Sequence, residues 1–185
     1  MRVLGIDCGT EYTGYGIVDL DFDRSRDGGR GPGRIAAPAD NDSLVCVACG
    51  AIKVSPREPM PVRLQRIARG LEELIAHHRP DRVAIEDVFY AVNVKSALKL
   101  GQVRGVAMLA AATCGLNVAE YAPLAIKSAV VGYGKADKSQ VQQMVTRLLR
   151  LPALPQPQDA SDALAIAICH LHTAATLSRH AIPKG

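Results

Sequence analysis

A chain of 185 residues, 48% apolar and 22% charged, can bury one sizeable core and is too short for two ordinary domains, so one domain over residues 1–185 is expected. The charged fraction excludes a disordered chain, and no apolar run reaches the roughly 18 to 20 residues of a membrane-spanning helix. Met1-Arg2 leads straight into an apolar strand with no room for a signal peptide, so the cytoplasm is the expected compartment. The five scattered cysteines, at 8, 46, 49, 114 and 169, read as reduced thiols.

Residues 3–6 and 12–20 read as apolar strands joined by the turn Asp7-Cys8-Gly9-Thr10, and 44–54 as a third strand. Between them, residues 21–43 hold four Gly, two Pro, four Arg and five Asp, the composition of a surface loop or hairpin insertion. Asp23-x-Ser25-x-Asp27-Gly28 within it resembles a calcium loop, but Arg34 stands where a bidentate Glu is needed and no helices flank it, so a plain loop is the better reading. Cys46 and Cys49 form a C-x-x-C inside the third strand. With no second Cys or His pair at zinc spacing, they read as strand residues.

Leu64, Ile67, Ala68, Leu71, Leu74 and Ile75 recur at three- and four-residue steps opposite Arg63, Arg66, Arg69 and Glu73, which predicts an amphipathic helix over 61–78. A short strand is expected over 82–88 and a helix over 95–113. Ala97, Gly101 and Gly105 share one stripe of that helix. Each glycine costs about 1 kcal/mol of helix propensity, so a close neighbour is expected there, either the chain's own sheet or a second subunit. A last strand at 117–121, a short helix at 123–131 and a helix from an Asp137 N-cap to residue 151, stopped by Pro152, follow. The final helix, 159–176, is apolar on nearly all sides beyond Asp162 and should lie buried on the sheet. This order of elements predicts an α/β fold with a mixed central β-sheet flanked by helices.

The net charge of +4 is unevenly placed. Residues 95–150 hold eight Lys and Arg (95, 99, 104, 127, 135, 138, 147 and 150) against Glu120 and Asp137. Such a segment suits a polyanion, although solvated helix faces explain the charge alone equally well; the acids decide. Asp7 ends the first strand, Glu86 ends Val83-Ala84-Ile85, and Asp159 and Asp162 share one face at the start of the final helix, near its positive end. Singly, Asp7 reads as a turn former and Asp159 as an N-cap, whereas Glu86 at an apolar strand end has no such account.

If the strand ends face that helix terminus, four carboxylates meet. At an effective dielectric of about 20, two carboxylates about 4 Å apart repel by about 4 kcal/mol, so the cluster needs cations or protonation. Hard divalent ions with oxygen ligands fit, and two of them about 3.5 to 4 Å apart would clamp the oxygens of an in-line phosphoryl displacement. The chemistry this suggests is phosphodiester hydrolysis.

Leu4-Gly5-Ile6-Asp7, Ala84-Ile85-Glu86-Asp87-Val88-Phe89, Ser96-Ala97-Leu98-Lys99-Leu100-Gly101-Gln102, Lys138-Ser139-Gln140-Val141 and Asp159-Ala160-Ser161-Asp162-Ala163-Leu164 closely resemble the RuvC resolvases, a likeness running from residue 1 to about 175. The resemblance implies a ribonuclease H-like fold and a homodimer that cuts four-way (Holliday) junction DNA in recombination and repair. It implies two active sites per dimer, with Mg²⁺ or Mn²⁺ held by Asp7, Glu86, Asp159 and Asp162, and association with the RuvA and RuvB branch-migration proteins; with the clamp above, two ions per active site are expected. Lys127 and Lys138 match family positions that assist catalysis and bind phosphate, where a lysine stabilises developing negative charge. Phe89, with Tyr90 beside it, would stack on an unpaired base near the junction centre, the alternative being a core residue. Lys95 and Arg104 complete the expected DNA contacts. Two departures stand out: Cys8 replaces the usual Pro, and the 21–43 insertion is longer than usual. Cys8 could meet a softer metal or an oxidant, but reads better as a small buried thiol.

Gly5-Ile6-Asp7-Cys8-Gly9-Thr10 also looks like the phosphate hairpin of sugar kinases and actin-like ATPases, but 185 residues lack the length for their two lobes and no second Asp-Gly phosphate turn is found downstream. Gly134-Lys135 is no P-loop, since Ala136 replaces its Ser or Thr and Ala129 its first Gly. A noncatalytic junction-binding module is a third reading, which the intact carboxylate set disfavours.

Overall fold

The computed structural model of the chain describes residues 1–21, 43–87 and 93–180. The order of elements is β1 (Arg2–Asp7), β2 (Tyr12–Asp21), β3 (Ser43–Lys53), α1 (Met60–His78), β4 (Arg82–Glu86), α2 (Val94–Thr113), β5 (Val118–Tyr121), α3 (Pro123–Val131), α4 (Lys138–Leu148) and α5 (Gln158–His180). The five strands form one sheet in the order β3-β2-β1-β4-β5. β1 pairs antiparallel with β2, and β2 with β3, while β1 to β4 and β4 to β5 are parallel, so the sheet is mixed and helices lie on both faces as expected.

Side-chain alternation along the strands sorts two cores. Leu4, Ile6, Val83 and Ile85 point toward α1 and α2, where they meet Ile67, Leu71, Val103 and Ala107. Val3 and Ala84 point the other way, toward Leu164, Ile168, Ile126 and Val145 of α5, α3 and α4. Helix α5 is the hub of that layer, fully buried from Ala160 to Cys169 apart from Asp162.

α5 approaches the sheet closely because glycines line its path. A Cβ on Gly5 would overlap the Ala163 carbonyl and come within 2.8 Å of the Ala167 nitrogen, and one on Gly16 would stand 2.6 Å from the Leu164 nitrogen. Only a residue without a side chain admits helix backbone at that distance.

One sequence expectation changes and another narrows. The helix after Asp137 ends at Leu148 rather than 151: the chain leaves it through Leu149 and a left-handed Arg150 (φ 51°), before Pro152 is reached. Of the two neighbours expected at Gly101 and Gly105, the chain's own sheet is not there: among the described residues an added Cβ at either meets nothing within 4 Å. α2 instead buries Val103, Ala107, Ala110 and Ala111, and leaves its glycine stripe open. Most of the expected 21–43 insertion, with its calcium-like loop, and Val88, Phe89 and Tyr90 lie outside the described residues.

Candidate active site

The alternation that sorts the cores also aims the acids. Val3 and Gly5 face α5, so Asp7 at the end of β1 faces it too; Ala84 faces α5, so Glu86 at the end of β4 does likewise. β1 and β4 are parallel neighbours with Ile6 opposite Ile85, which puts both carboxylates at the same end of the sheet. In α5, packed flush by the strand glycines, Asp162 projects toward that end. Asp7, Glu86 and Asp162 line one cavity of about 130 Å³, together with Lys127 of α3 and Lys138 of α4, over apolar walls that include Ile126, Val141 and Ile166.

Lys138 is placed by a helix start. The Asp137 carboxylate accepts from the Gln140 N–H at 2.9 Å, and the Gln140 side-chain oxygen accepts from the Asp137 N–H at 2.9 Å, a reciprocal capping box that fixes the first turn of α4. From that turn Lys138 Nζ reaches to 3.5 Å from Asp162 Oδ2.

Electrostatics mark the carboxylates as strained neighbours. Burial, followed by the charges of Asp162, Glu86 and Asp159, pushes the Asp7 carboxyl from 3.8 up to about 7. Burial and Asp162 raise Glu86 above its ordinary value against the pull of Lys138 and Lys127. Asp162 is also raised, chiefly by burial, with Lys138 opposing. Each carboxylate is thus costly to ionise in the absence of added positive charge. Among the described residues no three His, Cys, Asp or Glu side chains are already gathered as a metal cage.

The remaining expected site residues are placed differently. Asp159 lies inside the first turn of α5, not at its cap, and does not line the cavity; its backbone carbonyl packs on Gly14 and its Oδ1 lies near the Gly9 turn. Its charge still reaches Asp7 and Asp162. Arg104 is engaged within the fold, donating to Asp87 Oδ1 at 3.2 Å and to the Glu120 carboxylate, so its guanidinium braces the chain just beyond Glu86 instead of standing free. Lys95 is exposed in the first turn of α2, whose Asn93 cap accepts from its N–H. The Cys8 thiol, beside the site, is pushed up to about 12 by burial and by Asp7, which disfavours its thiolate form.

Two supports escaped the sequence reading. The strand glycines are one, and a break in strand alternation at Gly5, Gly14 and Gly16 was their visible signal. The other is Tyr121, register partner of Glu86, whose hydroxyl lies 2.9 Å from His170 Nδ1 and ties the edge strand β5 to α5. No spacing rule links residues 49 apart.

Comparison with known proteins follows the same lines. The family model described as crossover junction endodeoxyribonuclease RuvC matches residues 28–170. A protein of that description from Koribacter versatilis is 62% identical over 179 residues, 97% of each chain, and one from Acidobacterium capsulatum is 54% identical over 177 residues, 96% of each. Among solved structures, Thermus thermophilus RuvC superposes with a TM-score of 0.78 at 32% identity, covering 95% of this chain and 96% of that one. The same protein in complex with a Holliday junction substrate gives a TM-score of 0.80 at 31% identity, covering 96% and 97%. The yeast mitochondrial Holliday junction resolvase, at 14% identity and a TM-score of 0.65 over 96% of this chain and 80% of that one, shares the fold. The mixed sheet, the carboxylate cavity at the ends of β1 and β4, and relatives more than half identical along nearly the whole chain place this protein in the crossover junction endodeoxyribonuclease RuvC family.

Proposed function

We propose that this protein is a structure-selective endonuclease that resolves four-way Holliday junctions by metal-dependent phosphodiester hydrolysis in DNA recombination and repair. The observation that carries the reading is the convergence of Asp7, Glu86 and Asp162 with Lys127 and Lys138 on one cavity, in a chain of this family. The donor set is all oxygen and electrostatically underpaid in cations, which fits hard divalent ions. Asp7, Glu86 and Asp162, with Asp159 close behind, would hold Mg²⁺ or Mn²⁺, two ions per site. Bound there, the ions supply charge neutralisation and polarisation of the scissile phosphate.

The protein's own groups do the rest. Lys138, 72% exposed at the cavity mouth, meets the incoming phosphate while its ion pair orients Asp162. Lys127 adds a second positive charge from α3. Ile126, Val141 and Ile166 keep the floor apolar, so the charges act in a poorly screened setting. Phe89 and Tyr90 follow Glu86 closely in sequence and are assigned to unpaired bases at the junction centre, with Lys95 on the flanking phosphates.

A second copy is part of the reading. Val94, Leu98, Gly101, Gly105 and Leu109 form an open stripe along α2, with Val94 74% and Leu98 and Leu109 each 66% exposed, and the two glycines permit close helix approach. A two-fold dimer would set two cavities against the two strands of a two-fold junction. RuvA and RuvB are the branch-migration partners that the family membership suggests, testable by co-purification. No described helix is long and apolar enough to cross a membrane, and a cytoplasmic place of action suits a DNA substrate.

The test is cleavage of a synthetic four-way junction with Mg²⁺ or Mn²⁺, alongside nucleotide titration by calorimetry. Paired nicks and no ATP binding are expected; ATP binding without cleavage would move the protein to the ATPase reading.

A further inference from the structure

Helix α3 carries a surface that the catalytic reading leaves unused. Its buried side, Ile126 and Val130, packs into the core under α5, and Pro123, Ile126 and Lys127 line the carboxylate cavity. The outer side is apolar and open: Leu124 is 66% exposed, and Tyr133, just past the helix, is 48% exposed. The turn between them is built to present that tyrosine. Gly132 ends α3 in the left-handed conformation (φ 94°), its N–H donating to the Ser128 carbonyl, and the chain then folds back over the helix. Gly134 lies so close to α3 that a Cβ there would sit 3.3 Å from both Leu124 Cδ2 and Ser128 Oγ. The result is a small platform of Leu124 and Tyr133.

Two observations say what covers it. α3 belongs to the α5 side of the sheet, whereas the α2 stripe belongs to the opposite layer, so this platform is separate from the proposed dimer face. It is continuous with the cavity through Lys127, three residues and about 4.5 Å of helix rise from Leu124, and Lys135 stands exposed just after it. An apolar and aromatic surface bordered by lysines and ending at a phosphodiester-cleaving site matches a nucleotide: base on the ring, sugar on the aliphatic side chain, phosphates on the ammonium groups.

We infer that Leu124 and Tyr133 form a nucleotide subsite, which receives a base within one or two positions of the scissile phosphate and helps to set which sequence is cut. The inference rests on the nuclease reading, so its test is read without cleavage as well as with it. A junction carrying 2-aminopurine at positions flanking the cut site is bound in chelator by wild type, Leu124→Ala, Tyr133→Ala and Tyr133→Phe.

Wild type should quench the probe at one of these positions. Tyr133→Ala should abolish that quench and, with Mg²⁺, lower cleavage at subsaturating junction by about 5- to 150-fold, the range of one lost base stack. Tyr133→Phe, which keeps the ring, should restore the quench, and all melting temperatures should match, since both side chains are exposed. A persistent quench and wild-type cleavage in Tyr133→Ala and Leu124→Ala would overturn the subsite and leave the platform to a protein partner. Failure of the wild-type protein to cut any junction would overturn the nuclease reading, while the chelator experiment still decides whether a base sits on Tyr133.

Discussion

Lys138 Nζ lies 3.5 Å from Asp162 Oδ2, so the capping box of α4 delivers a cation to a carboxylate carried by α5. The lysine is mostly exposed, and exposed ion pairs contribute about 0 to 1 kcal/mol to stability. Lys138→Met should therefore shift the melting temperature by no more than about 4 °C. Cleavage should fall by about 10²-fold, the usual cost of losing one group that stabilises transition-state charge. Lys138→Arg should recover part of the rate. A variant that melts far below wild type would show that the contact is structural.

The raised carboxyls predict how metal-free stability depends on pH. Asp7 moves from 3.8 to about 7 on folding, so between those values the folded protein holds a proton that the unfolded chain has released. Stability should thus fall as pH rises from about 4 to about 7, and stay at the lower level above; Glu86 and Asp162 push in the same direction. At about 1.4 kcal/mol per unit the Asp7 contribution has a ceiling of about 4 kcal/mol. In chelator, urea unfolding at pH 8 should find Asp7→Asn more stable than wild type, with the gap closing toward pH 4. A less stable Asp7→Asn protein at pH 8 would contradict the repulsion.

Wild-type protein should sediment as a dimer at micromolar concentration. Leu98→Glu and Leu109→Arg place charge in the open α2 stripe, where both side chains are already exposed, so they should yield folded monomers with unchanged helix content. Monomeric wild type with full paired cleavage would remove the dimer from the account.

Gly16→Ala should be among the most damaging single changes in the chain, because its Cβ meets helix backbone that cannot yield without shifting α5. Overpacking of this kind costs about 1 to 3 kcal/mol. Displacing α5 also displaces Asp162, so cleavage should drop more than melting temperature alone explains. Thermal melts and cleavage rates of soluble Gly16→Ala protein check this.

Much of the fold was legible because its signals are local. The periodicity at 61–78 and the Pro at the start of α3 mark helices that the structure reproduces within a residue or two. The Asp137 cap was read correctly, but the end of α4 was not, since the left-handed Arg150 carries no glycine to announce it. Of the site, the facing of Asp7 and Glu86 follows from strand alternation, whereas the offset of Asp159 depends on how far α5 slides along β2, which no sequence period encodes. Arg104 shows the same limit: its position in a basic segment suggested DNA, and only tertiary structure reveals Asp87 and Glu120 beside it.

Asp159 lies in the first turn of α5 but outside the cavity that Asp162 lines. Asp159→Asn should lower cleavage less than the corresponding change at Asp162, measured side by side at saturating Mg²⁺ and Mn²⁺. Equal losses would place both in one metal set.

On the proposed mechanism, Asp7, Glu86 and Asp162 serve the chemistry and do not hold the fold together. Single-turnover cleavage of a four-way junction by Asp7→Asn and Glu86→Gln, with junction binding measured on the same samples, tests it most directly. Binding should stay near wild type, because phosphate contacts by Lys and Arg supply most of it. The cleavage rate should fall by about 10³-fold or more with either Mg²⁺ or Mn²⁺. Wild-type cleavage by either variant would contradict the account.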